Sequence, residues 1–276
     1  NSNNYCPVFS FKEIELYDLV TKLKKTEKCY DKKVKKSIET NLFDIADRLL
    51  IIINNALNYG IIPDGWKEAT VVPVPKDTKK HVSEPSNFRP ISNLPYFAKI
   101  FESFLVEQIT KHIKENNLLN DHQHGFRSGF NTCTALTYLL NFVYKNIDNG
   151  FLVLLIFLDF SKAFDTINHA ILIFKLKTQY NFSDQACLVI SNYLKNRKFL
   201  VKYQNTYSKE FSLETGIPQG SLIGPILFIL YTNDMINYIE KDVNAGAFAD
   251  DTGFGLVARQ LRELEASASR LLINIR

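Results

Sequence analysis

The feature that most constrains this chain is an unbroken apolar run, Phe151 to Leu158, that ends on an acid, Asp159. Eight apolar residues are too few to span a bilayer, and with turn formers on both sides they read as a strand buried on both faces. Such a strand needs covering elements. Directly downstream Phe164, Ile167, Ile171 and Phe174 recur at helical spacing, which predicts a helix over 163–177 packed on that strand. Near the end of the chain, Ala245 to Ala249 and Thr252 to Val257 predict two short strands around the pair Asp250-Asp251.

The remaining sequence fills in around this centre. Residues 11–59 read as helical, with Phe11, Ile14, Leu19 and Leu23 on one face and Leu42, Ile45, Leu49, Ile52 and Ile53 on another. The lysine-rich stretch Lys22 to Lys36 reads as a solvated helix surface, with a phosphate-binding patch as the alternative. Ala69 to Val74 predicts a strand, and Pro85, Pro90 and Pro95 an irregular, proline-braced segment. Helices are predicted over 97–115 and 132–145, over 184–195 with Ser183 as N-cap, over 221–240 with Pro225 near the first turn, and from Gln260 onward. Lys198 to Tyr203 and Phe211 to Glu214 alternate about Asn205-Thr206 as a hairpin, and 216–220 is a tight loop. The expected class is α+β, an antiparallel sheet backed by helices.

Composition narrows the function classes. With 276 residues, 46% of them hydrophobic and 22% charged, the chain can bury a core. A net charge of +4 suits a nucleic-acid partner without requiring one. Cys6, Cys29, Cys133 and Cys187 are dispersed, which argues against a zinc site or a disulfide framework and for reduced thiols inside a cell. The polar start leads into no signal peptide, and no membrane segment is expected. A start without Met and an end in mid-pattern suggest a piece of a longer polypeptide.

The acids carry the chemistry. One Asp at a strand end is ordinarily a turn residue or a cap, and Asp-Asp in a turn is ordinarily solvated surface. Two apolar strands that each end in acid can lie side by side and converge Asp159 with Asp250 and Asp251. Converged carboxylates repel unless a cation joins them. Mg²⁺, which takes oxygen ligands and substrate phosphates, is the natural ion, and a pair of ions serves nucleotidyl transfer.

At these residues the chain resembles a known family. Phe157-Leu-Asp-Phe-Ser-Lys-Ala-Phe-Asp165 resembles the first catalytic motif of non-LTR (LINE-type) reverse transcriptases. Gly216-Ile-Pro-Gln-Gly-Ser-Leu-Ile-Gly-Pro225 resembles their second palm block, and Phe248-Ala-Asp-Asp-Thr252 their Tyr-Ala-Asp-Asp box. Asn87-Phe-Arg-Pro-Ile-Ser92 and Gln123-His-Gly-Phe-Arg127 look like finger motifs, and Trp66 to Lys76 like the approach to them. The blocks keep the family's order over most of 61–257, and the wording of 163–169 and 227–234 looks jockey-like.

The resemblance implies a right-hand polymerase with a helical extension over 1–60, fingers over 61–150, and a palm over 151–276 that carries a fingers-like insertion near 178–214 and stops before the thumb. It implies RNA-directed DNA polymerase activity on an RNA template, a DNA primer and dNTP, with two Mg²⁺ for which Mn²⁺ could substitute. Asp159, Asp250 and Asp251 would hold the metals, with Phe160 contributing a main-chain position. Lys76 and Arg89 would hold the triphosphate, Phe164 would exclude a ribose 2′-hydroxyl, and Gln219 and Gly220 would line the nucleotide pocket. Arg127 and Phe248 would meet template or primer. Integration into a genome implies a nuclear site of action, with the cytoplasm as the other compartment.

Departures temper the match. Phe248 lacks the usual tyrosine hydroxyl, and Gly253 and Gly255 would loosen the second strand of the acidic hairpin. The competing readings are another right-hand polymerase of the group II intron or telomerase type, a non-catalytic nucleic-acid-binding relic, and, remotely, a nucleotide cyclase.

Overall fold

The computed structural model describes residues 6–25, 29, 31–76, 84–160, 162–235 and 244–274. The chain divides into two compact units, Asn1–Asn117 with Phe164–Gly224, and Leu118–Ala163 with Pro225–Arg276. No helix among the described residues is long and apolar enough to cross a membrane.

The first unit holds helices α1 (Leu16–Leu23), α2 (Lys32–Thr40), α3 (Leu42–Tyr59), α4 (Tyr96–Glu115), α6 (His169–Gln179) and α7 (Asp184–Leu194). Its sheet contains β1 (Glu68–Pro75), β2 (Phe88–Asn93), β4 (Arg197–Tyr203), β5 (Thr206–Tyr207) and β6 (Phe211–Leu213). The proline-braced segment is therefore largely a strand. Pro90 pairs with Pro73 in an antiparallel register, and β2 is an edge strand, where a missing N–H costs least. The expected hairpin exists, since β4 pairs with both β5 and β6, but β4 also runs parallel to β1 from Glu68↔Lys198 to Val71↔Val201.

Two helix expectations change at their ends. The helix predicted from Ala163 begins at His169, because Asn168 is extended and its side chain accepts from the Ala170 and Ile171 N–H groups. Ala163–Asp165 is a separate 3₁₀ turn. Ile171 and Phe174 are exposed, and Leu172 and Leu176 are the buried positions of α6. The helix predicted over 221–240 is α8 (Gly224–Thr232): Ser221 Oγ accepts from the Gly224 N–H at 3.1 Å, and a turn begins at Asn233. Residues 236–243 lie outside the described residues. Ser183 caps α7 as expected, accepting from the Ala186 N–H. In the lysine stretch, Lys22 pairs with Glu107 at 2.9 Å and lies over the Phe104 ring, and residues 26–28 and 30 are outside the described residues.

The second unit is built on β3 (Leu152–Asp159), β7 (Asn244–Phe248) and β8 (Asp251–Ala258), in the antiparallel order β3-β8-β7, with α5 (Thr132–Asp148) and α9 (Leu261–Asn274). On one face Leu154, Ile156 and Leu158 pack with Phe254 and Leu256 against Leu264 and Leu271 of α9. On the other face Gly253 and Gly255 stand opposite Phe157 and Leu155. A Cβ on Gly255 would come within 2.3 Å of the Phe142 ring, and one on Gly253 within 3.1 Å of Phe157. The glycines do not loosen β8, which pairs along its length with β3; they make room for aromatic rings.

The same glycines explain why β3 is not buried on both faces. Phe157 is 65% exposed, with a glycine across the strand from it. The cover on that face is α5, a helix with no fully buried residue.

Candidate active site

The acidic hairpin is drawn tight by its register. Phe248 pairs with Asp251, so Ala249 and Asp250 make the turn. Asp251 also pairs with Asp159 across β8 and β3. Directly opposed residues share a face with their Cβ atoms about 5 Å apart, and like charges in that position repel. Asp250 sits next to them at the turn. The second unit thus brings Asp159, Asp250 and Asp251, flanked by Phe160 and Phe248, to one end of a three-stranded sheet.

The turn is held under some strain. Ala249 has a φ of 59°, a left-handed conformation that side chains other than glycine seldom adopt. A segment not singled out for this role supports it. The Gln123 side chain is 2% exposed, and its Oε1 accepts from the Gly125 N–H at 2.8 Å and the Ala249 N–H at 3.3 Å. The His124 N–H donates to the Ala247 carbonyl at 2.7 Å, and the Ala247 N–H to the His122 carbonyl at 2.9 Å. A Cβ at Gly125 would lie 2.0 Å from the Ala249 nitrogen, so only glycine lets the two backbones meet. Arg127, at the end of this segment, is held locally: Nη1 donates to the Asn120 carbonyl at 3.0 Å, Nη2 is 3.6 Å from Asp121, and the guanidinium lies over Phe130.

No ion pair among the described residues involves the three acids, and Asp159 and Asp251 are exposed. Uncompensated carboxylates at one sheet end are the donor set that a hard divalent cation takes. Among the described residues, no group of three or more histidine, cysteine, aspartate or glutamate side chains is disposed to hold a metal ion by itself.

The other candidate residues belong to the first unit. Gly216 has a φ of 80°, and a Cβ there would lie 2.7 Å from the Asp165 backbone. Its N–H donates to the Ile167 carbonyl and the Ile217 N–H to the Phe164 carbonyl, both at 2.9 Å. His169 Nε2 lies 2.7 Å from the Gly216 carbonyl, which can only accept. Gln219 Nε2 donates to Asp165 Oδ1 at 3.0 Å, and the Ser92 N–H donates to the Gln219 carbonyl at 2.6 Å. The loop of Gln219 and Gly220 is thereby pinned to the 164–169 turn and to β2. Arg89 lies on β2 opposite Val74, and the Lys76 N–H extends that ladder to the Asn87 carbonyl, so Lys76 and Arg89 are diagonal neighbours on one face.

Behind this loop is a buried carboxylate that the sequence did not single out. Glu102 is 0% exposed; it accepts from the Tyr193 hydroxyl at 2.6 Å and the Leu222 N–H at 2.7 Å. Burial pushes its carboxyl up, against the two hydrogen bonds and the Arg197 and Lys99 charges that favour the ionised form.

Comparison with known proteins places the family. The family model described as "Reverse transcriptase (RNA-dependent DNA polymerase)" matches residues 74–269. The chain is 32% identical, over 68% of its length, to the probable RNA-directed DNA polymerase from transposon BS of Drosophila melanogaster. It is 31% identical over 74% of its length to the RNA-directed DNA polymerase from mobile element jockey of the same species. To the probable RNA-directed DNA polymerase from transposon X-element, also of that species, it is 30% identical over 74% of its length. It spans 20%, 23% and 22% of those three proteins. A structure of apo telomerase from Candida tropicalis aligns over 95% of this chain and 65% of that one, with a TM-score of 0.48 and 13% identity, too distant to add to the assignment. The chain belongs to the reverse transcriptase (RNA-dependent DNA polymerase) family, and within it resembles the jockey-type non-LTR elements.

Proposed function

We propose that this chain carries the polymerase centre of a non-LTR retrotransposon and adds dNTPs to a DNA primer on an RNA template. The observation that carries the reading is the register of Asp159 opposite Asp251, with Asp250 at the adjoining turn. In the reaction the primer 3′-oxygen attacks the α-phosphorus of the dNTP, and pyrophosphate leaves. Asp159, Asp250 and Asp251 would hold two Mg²⁺, or Mn²⁺ in their place, with the Phe160 main chain beside them. When bound, such ions lower the pKa of the attacking hydroxyl and offset the charge of the leaving group.

The chain's own residues bind and orient. Lys76 and Arg89 hold the triphosphate, the Arg fork matching two phosphate oxygens at once. Phe164 presses on the sugar and excludes a 2′-hydroxyl. Gln219 and Gly220 line the nucleotide pocket. The Gln219 side chain is held by the bond from its Nε2 to Asp165. Arg127 and Phe248 contact template or primer, which is held through its backbone. The fingers are assigned to 61–150 and the palm to 151–276, and the site of action is the nucleus or the cytoplasm.

The test is metal-dependent dNTP incorporation by Asp159→Asn and Asp250→Asn. Both variants are expected to fold and to lose incorporation, and retained activity in either one would refute its place in the site.

A further inference from the structure

Phe164 and Asp165 close a 3₁₀ turn of three residues, Ala163–Asp165. A turn so short makes few hydrogen bonds of its own, and those have poor geometry. Its rigidity comes from what it touches, and the 215–219 loop touches it closely. The Ile217 N–H donates to the Phe164 carbonyl at 2.9 Å, and Thr215 Oγ1 donates to the Asp165 carbonyl at 3.2 Å. Gly216, at a φ of 80°, lies so near that a Cβ on it would meet the Phe164 carbonyl oxygen and the Asp165 Cα, each at 2.7 Å. Gln219 Nε2 donates to Asp165 Oδ1 at 3.0 Å.

The last of these contacts differs in kind. The others are made with the backbone of 164 and 165 and are indifferent to the side chain at 165. The bond to Gln219 needs an acceptor there. A carboxylate oxygen can only accept, so it also fixes which end of the Gln219 amide faces the turn. A hydrogen bond to an ionised acceptor is roughly twice as strong as one between neutral groups.

We infer that Asp165 is a positioning residue for sugar selection. Its carboxylate ties the turn that carries Phe164 to the Gln219 side chain, so that the wall against a 2′-hydroxyl and the side of the nucleotide pocket hold as one body. The inference rests on the proposed roles of Phe164 and Gln219 and assigns a new one to their neighbour. Its physical basis is the narrow margin of steric selection. An apolar wall rejects one added hydroxyl by only about a hundredfold, and groups that discriminate in this way must be held to within about 0.5 Å. Without the carboxylate, the turn keeps its backbone contacts but loses its side-chain tie to the pocket, and a ribose can displace Phe164.

The test compares dGTP with GTP on one primer–template, using the full chain and its variants. Asp165→Leu removes the acceptor at similar size, and Asp165→Asn keeps Oδ1. Should the leucine variant not fold, Asp165→Ala removes the acceptor without adding bulk. The ratio of kcat/KM for dGTP to that for GTP is expected to fall about tenfold when the acceptor is lost and to stay within about threefold of the parent in Asp165→Asn. A merely structural loss would lower both nucleotides together and leave the ratio unmoved, which would overturn the inference. So would an equal loss of selectivity in Asp165→Asn and Asp165→Leu.

The bond itself is read without nucleotide, from the Gln219 side-chain amide in a ¹H–¹⁵N spectrum. One of its protons is expected downfield in the parent and in Asp165→Asn, and at the position of a solvated glutamine in Asp165→Leu. An amide that does not move between the parent and Asp165→Leu would overturn the tie. A moved amide with an unchanged ratio, in a chain that incorporates dGTP, would overturn the selectivity alone. A parent that incorporates neither nucleotide would refute the polymerase reading and the selectivity with it, and the Gln219 amide would still show whether the tie exists.

Discussion

Glu102 and the acidic hairpin treat the same functional group in opposite ways. Glu102 is withdrawn from solvent, takes donors from Tyr193 and Leu222, and has Arg197 nearby. Asp159 and Asp251 are set opposite each other in register, exposed, and with no ion pair among the described residues. A carboxylate that serves the fold is surrounded by partners from its own chain. The pair proposed for chemistry is left without such partners, on a scaffold that holds each near a like charge. The contrast yields predictions for the two regions that differ in sign as well as size.

The largest effect belongs to the hairpin. Asp159→Asn should lower dNTP incorporation by about a thousandfold or more, since it weakens a metal-borne transition-state interaction worth several kcal/mol. Its unfolding free energy should stay within about 0.5 kcal/mol of the parent, as for other exposed sites, or rise as repulsion is relieved. Urea denaturation read beside activity would break the contrast if stability fell along with catalysis.

Glu102→Leu should behave in reverse. It strands the Tyr193 hydroxyl and the Leu222 N–H, and should cost about 3 kcal/mol of stability. A midpoint in urea equal to the parent's would show that the buried network is not structural.

The glycine face of β8 gives a smaller change. Gly255→Ala drives a Cβ into the Phe142 ring and should destabilise by about 2 kcal/mol. In a double-mutant cycle, Phe142→Leu should recover part of that loss. Simple additivity would mean that the ring and the glycine do not share space.

The smallest effect sharpens the acid comparison through pH. The carboxyl of Glu102 is raised in the folded chain above its ordinary 4.5, so the folded state holds the proton more tightly. Its contribution is fully present below 4.5 and is lost as pH rises through the folded value. Relative to Glu102→Gln, the parent should therefore lose stability as pH is raised above 4.5. Paired urea curves at successive pH values measure the difference, and the opposite slope would contradict the burial argument.

The sequence made some of this legible and hid the rest for physical reasons. Local signals survived: the Ser183 cap and the amphipathic course of α4 stand where their residues point, and the acidic turn between two apolar strands lies one residue earlier than expected, at Ala249 and Asp250, with Asp251 in β8. What failed was set by tertiary context. Pro73 and Pro90 look like breakers, yet they face each other across β1 and the edge strand β2. The parallel register of β1 with β4 joins residues distant in sequence and leaves no local trace. Asn168 in place of Ala163 starts α6, because a capping side chain outweighs the apolar period upstream. The support of Ala249 by Gln123 and Gly125 had one available signal, a glycine inside a motif, where close backbone approach is a standing reason for glycine. Glu102 had none, since nothing in a helical repeat reveals that a lone acid is buried with partners.

The most direct test of the central claim is primer extension on an RNA template with dNTPs and Mg²⁺, comparing the parent chain with the Asp250→Asn, Asp251→Asn double variant. The account predicts extension by the parent that stops when the metal is chelated, and none by a double variant that folds and binds the same primer–template. Extension by the double variant at the parental rate would contradict it.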